Sequence, residues 1–113
     1  MKSLSDLLDS LLTATELGTL KWETDFGQDN FITRIADHKV RASSWYDGNS
    51  ETDGITISLL DASSDTVLDR VVADKFSPRY AELTELFEAA RRSAFNVSDI
   101  VSFLELELAV KKK

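Results

Sequence analysis

Apolar residues recur at helical spacing up to Leu17, alternate at strand spacing between about Phe31 and Ala73, and return to helical spacing from Tyr80 onward. This double change of period predicts an α+β fold in one domain, 1–113. Its elements are an N-terminal helix, a four-stranded antiparallel β-meander and two C-terminal helices packed on the sheet.

Leu4, Leu7, Leu8, Leu11 and Leu12 lie on one stripe of a first helix, expected over residues 5–17. Ser3 or Ser5 suits its start, and Gly18 suits a left-handed end. Residues 20–30 carry Trp22 and Phe26 among polar neighbours without a sustained period. They read as a connection with room for a short strand near Trp22. Along 31–37 and 39–46, Phe31, Ile35, Val40, Ala42 and Tyr46 share one face, while Ile32, Arg34, Arg41, Ser43 and Trp45 share the other. A turn centred on His38 and Lys39 sets Ile32 against Trp45. Centring it one residue earlier sets Arg34 against Arg41, a like-charge pair that favours the first register.

A polar loop over 47–54 leads to a third strand, in which Ile55, Ile57 and Leu59 alternate with Thr56, Ser58 and Leu60. A fourth strand follows over 67–73. Ser77-Pro78 marks the next helix start, because a serine cap followed by proline pre-sets the first turn without wasting a donor. Tyr80, Leu83, Leu86, Phe87, Ala90 and Ala94 form the stripe of that helix, and Asn96-Val97 interrupts it. The third helix, capped by Ser98, has Ile100, Val101, Leu104 and Leu108 on one side and Phe103, Leu106 and Val110 on a second stripe. Such a helix is either wedged between neighbours or meets another subunit.

Charge removes several function classes. Twenty acidic residues against 13 basic ones give a net charge of −7, which repels phosphate backbones. The basic clusters Arg91-Arg92 and Lys111 to Lys113 sit where helix C-termini are expected and read as dipole partners, so no nucleic acid is expected as a ligand. Asp6 and Asp9 interrupt the early leucines, so no signal peptide is expected, and no window approaches the roughly 20 apolar residues that span a bilayer. The expected location is cytoplasmic, with no membrane partner. Zero cysteines exclude disulfides, thiolate metal sites and a cysteine nucleophile.

No assembled chemistry emerges. The loop 47–54 offers oxygen ligands, but counting from Asn49 places Leu60 where a calcium loop needs a bidentate glutamate. His38 is the lone histidine, flanked by Asp37 and Lys39 in a turn, and no serine sits in a nucleophile-elbow setting. No catalytic residue, metal ligand or cofactor is therefore assigned, and the chain is expected not to be an enzyme. Interface candidates are Trp45, Ile32 and Leu60 on the sheet face opposite Phe31, together with Phe103, Leu106 and Val110 on the last helix. An aromatic anchor among arginines and small polar residues has the composition of an interface. The first helix either leaves that face open or covers it and buries Trp45. A competing reading makes Trp22, Trp45, Tyr46 and Tyr80 the lining of a ligand pocket between sheet and helices.

Over residues 80–108, with Leu83, Leu86-Phe87, Ala89-Ala90-Arg91, Asp99-Ile100 and Leu104, the pattern resembles the closing helix pair of small uncharacterised bacterial α+β domains. In those a β-meander preceded by tryptophan comes before the helices, as Trp22 does here. That resemblance implies a bacterial or mobile-element origin and no activity. A second likeness, to acidic dimeric secretion chaperones, rests on size, acidity and α+β content. Both accord with a non-catalytic protein–protein interaction or accessory module of the adaptor, immunity or chaperone-like kind. The expected partners are a second copy of the chain, giving a homodimer, and another protein; the alternative is a small-molecule binder or small enzyme.

Overall fold

A computed structural model describes residues 1–27 and 29–111. Gln28 of the expected connection and Lys112 and Lys113 of the basic run lie outside the described residues. The order is a 3₁₀ turn (Leu4–Leu7), α1 (Leu8–Glu16), β1 (Glu23–Thr24), β2 (Asn30–Ile35), β3 (His38–Asp47), β4 (Thr52–Asp61), β5 (Val67–Asp74), α2 (Tyr80–Ala94) and α3 (Val97–Lys111). The strands form one antiparallel sheet in sequence order, β1-β2-β3-β4-β5. The α+β class and the meander are as expected, with a fifth, two-residue strand beside Trp22 added at the edge.

The first hairpin differs from both expected registers. Ile35 pairs with His38, Ile32 with Arg41 and Phe31 with Ala42, so the two-residue turn is Ala36-Asp37. Ala36 takes a φ of 55°, the positive value that tight hairpins require near their centre. An alanine gives no sign of this in the sequence, since Gly or Asn ordinarily fills such a place. The resulting Arg34–Lys39 pair is tolerated because Lys39 Nζ is drawn 2.7 Å from Asp65 Oδ1. Sorting by face survives because every register considered differs by an even number of residues.

β4 begins at Thr52, not at Ile55, so Gly54 is a strand residue directly opposite Trp45. The turn before it is short and polar, with Asp47 Oδ1 accepting from the Asn49 N–H at 3.0 Å. The β4–β5 turn is knitted by Asp61. Its carboxylate accepts from both Ser63 and Ser64 hydroxyls and from the Ser64 N–H at 2.7–3.0 Å.

The main core cluster lies on the Phe31 face. Phe31, Val40, Ala42, Ile55, Ile57 and Ala73 meet Leu83, Leu86, Phe87 and Ala90 of α2 and Leu4, Leu8 and Leu11 of the N-terminal segment. Phe31 stands 5.3 Å from the Phe87 ring and 5.7 Å, edge-on, from Phe95. Trp22 fills the gap toward α1, and its Nε1 donates to Thr15 Oγ1 at 2.9 Å, which satisfies the indole inside the core. The N-terminus is held to the sheet edge: the Leu4 N–H donates to Asp69 Oδ2 of β5 at 2.9 Å.

Helix ends follow local chemistry. At the α1 terminus Gly18, with φ 80°, lets the Thr19 N–H reach Ala14 O and its own N–H reach Thr15 O, the double bond set of a Schellman ending. Ser77-Pro78 opens a preceding turn, the Ser77 hydroxyl accepting from the Arg79 N–H at 3.3 Å, and regular α-helix starts at Tyr80. Asn96, with φ 53°, separates α2 from α3, which begins at Val97 without the expected Ser98 cap.

The last helix departs from expectation. Only α2 lies across the sheet, whereas α3 makes its main contact with α2 and has no buried residue. Its projection is why the radius of gyration is 16.2 Å where a compact chain of this length has about 13 Å.

Candidate functional site

The sheet face opposite the core was one expected contact surface. Alternation places Ile32, Trp45 and Leu60 there together with Arg34, Arg41, Thr56 and Ser58, and α1 does not cover them, because its leucines join the core on the other side. The face is nevertheless largely closed by its own side chains. Trp45 is half-buried and lies flat across the ladder onto Gly54, where any Cβ would fall inside the indole ring. Its Nε1 donates to Thr56 Oγ1 at 3.0 Å. Gly54 is thus required for a close approach, with the aromatic ring covering backbone that a side chain would otherwise shield. Leu60 is only 1% exposed, between Lys39 and Val67 in the ladder, and is closed to a partner, contrary to its assignment as an interface residue. Arg41 pairs with Asp25 at 3.0 Å. On this side β5 leaves Val67 and Val72 41% and 50% exposed, beside exposed polar residues.

The four aromatics proposed as a pocket lining are not brought together. Trp22 is inside the helix–sheet core, Tyr80 packs on the edge of that core, Tyr46 is exposed, and Trp45 is on the far side of the sheet. An open groove of about 640 Å³ instead lies outside the sheet, where the end of α1, the outer side of α2 and the start of α3 meet. Glu16, Glu85, Glu88 and Asp99 line it with Lys21 and Arg92, so its charged lining is open to solvent. Among the described residues no three His, Cys, Asp or Glu side chains group closely enough to hold a metal ion. His38 is exposed at the first position of β3, opposite Ile35 and Asp61.

Two carboxylates are held below the usual aspartate range. Asp61 is lowered first by its hydrogen bond from the Ser64 hydroxyl, then by Ser63 and the Ser64 N–H; Asp65 is lowered by its hydrogen bond and charge attraction to Lys39. Both brace the β4–β5 turn, and neither lines the groove beside α2.

Among the described residues, the largest set of exposed apolar side chains from one element is on α3. Ile100, Val101, Phe103, Leu104, Leu106, Leu108 and Val110 are each between 45% and 69% exposed, and they come from a single 15-residue helix. Isolated exposed leucines are ordinary, but a contiguous set of this kind marks a contact surface. Phe103, Leu106 and Val110 are therefore open, as expected of interface residues. Ile100, Val101, Leu104 and Leu108, expected on the side facing the rest of the chain, are open as well. No helix among the described residues is long and apolar enough to cross a membrane.

No family model, curated protein or solved structure matches the chain.

Proposed function

We propose that this chain is a non-catalytic protein–protein interaction module, working in the cytoplasm as a homodimer and serving an adaptor, immunity or chaperone-like role. The observation that supports this reading is α3, a helix with two apolar stripes and no buried residue, attached to a body whose own core is already complete. A helix of this length is marginal in water by itself, and tertiary packing is what ordinarily stabilises one. Docking supplies that packing. The acidic balance of the chain argues against nucleic acid as the partner.

The alternative, a small-molecule binder or small enzyme, has less beneath it, since its aromatic set is scattered and the groove beside α2 is open and polar. Light scattering at micromolar concentration separates the two. Homodimerisation predicts about twice the 12.6 kDa chain mass and its loss in the double variant Leu104→Glu/Leu106→Glu, which charges both stripes. A wild-type protein that stays monomeric and is stabilised by a metabolite in a thermal-shift screen would favour the alternative.

A further inference from the structure

We infer that the sheet face opposite the core docks an extended, acidic segment of another protein, held by Arg34 and Arg70. This gives the interaction-module reading, on which it rests, a partner of stated chemistry, and it makes no use of α3.

Strand pairing gathers four cations on one face of a chain whose net charge is −7. Arg34, Lys39 and Leu60 form one row across β2, β3 and β4, and Arg41, Ser58 and Arg70 form the next across β3, β4 and β5. Two of the four are answered within the fold: Lys39 by Asp65 at 2.7 Å and Arg41 by Asp25 at 3.0 Å. Arg34 and Arg70 are exposed, and among the described residues neither forms an ion pair. Other acids on this side, Glu23, Asp47 and Asp74, stand in the edge strand β1 or at strand ends. The middle of the face is therefore positive.

Screening at physiological salt acts over about 8 Å, so a group at this face meets its arginines ahead of the acids across the sheet. Guanidinium groups pair with carboxylates in a bidentate fork. By strand and residue spacing Arg34 and Arg70 are about 16 Å apart at the backbone, while carboxylates four residues apart in an extended segment are separated by about 13 Å. Long arginine side chains close that gap. Along β5, Val67 and Val72 flank Arg70 and are 41% and 50% exposed, which adds apolar contact for the same segment. A phosphate backbone draws on a longer run of uncompensated cations than these two, so nucleic acid is the poorer match.

Fluorescence anisotropy tests this with a labelled serine-rich peptide of about ten residues that carries two glutamates four apart and a leucine near each. It should bind at low salt and lose about tenfold in affinity to Arg34→Glu/Arg70→Glu, whereas Arg91→Glu/Arg92→Glu, the same charge change on α2, leaves binding unaltered. Should the first variant fail to fold, Arg34→Gln/Arg70→Gln carries the same comparison. Trp45 lies on this face and Trp22 in the core, so the peptide should also shift tryptophan emission of the native chain. Equal losses in the two charge-reversed variants, or tighter binding of an oligouridylate of the same length, would overturn the acidic-segment assignment. No binding at low salt would overturn it as well, and a dimer mass in light scattering would then leave the interaction module standing without it.

Discussion

The two C-terminal helices have equal length and comparable apolar content, yet α2 buries Leu83, Leu86, Phe87 and Ala90 whereas α3 buries nothing. The difference lies in arrangement around the helix. In α2 the apolar residues form one stripe, with Glu85, Glu88 and Arg92 on the side away from the core, so a single sheet satisfies it. Two stripes on α3 cannot both be met by one neighbour. The left-handed Asn96 turns the chain at the point where Phe95 seats against Phe31, and the helix beyond runs off the body. One helix completes a fold and the other presents a surface.

Substitutions of matched size should separate these roles. Phe31→Ala removes the ring that Phe87 and Phe95 pack on and should cost about 3–5 kcal/mol in denaturant unfolding. Phe103→Ala on α3 should change the unfolding free energy of the monomer by no more than about 0.5 kcal/mol. Equal losses would mean that α3 belongs to the core.

Charging the surface comes next in size. Leu104→Glu/Leu106→Glu should raise the dimer dissociation constant by about 100-fold or more in sedimentation equilibrium, with the far-ultraviolet spectrum of the body retained. On the sheet, Gly54→Val should cost about 1–3 kcal/mol by displacing the Trp45 ring, with a red shift in tryptophan emission as the indole meets water. Unaltered emission would show that the ring does not rest on that glycine.

The smallest effect is that of pH. Asp61 and Asp65 have folded-state values below their unfolded ones, so the stability they add is present above the ordinary aspartate range. It fades as pH falls through the lowered values. Carboxyl chemical shifts of both residues should titrate below those of an unstructured aspartate, and titration at the ordinary position would remove their part in the turn.

Much of this was legible in the residue pattern, for definite reasons. Burial of the α2 stripe followed from 3.6-residue spacing, and face sorting of Phe31, Val40 and Ala42 against Arg34, Arg41 and Trp45 followed from the two-residue period of strands. Register was not, because it hinges on Ala36 adopting a conformation that its side chain does not advertise. Gly54 was assigned to a loop, although an isolated glycine next to alternating Ile55 and Ile57 is also the mark of a close approach within a strand. The α3 surface was half legible. Its second stripe stood out as surplus, but spacing alone cannot say whether Val101 and Leu104 meet their own sheet or another molecule.

The clasp between the Leu4 amide and Asp69 has a consequence for how the protein must be handled. β5 is an outermost strand, eight residues long, and the first turn of the chain lies against it. Clipping off that turn by proteolysis takes Leu4 out of the core and leaves the Asp69 carboxylate without its amide donor. An intact leading segment is therefore needed to keep the β5 end of the core sealed.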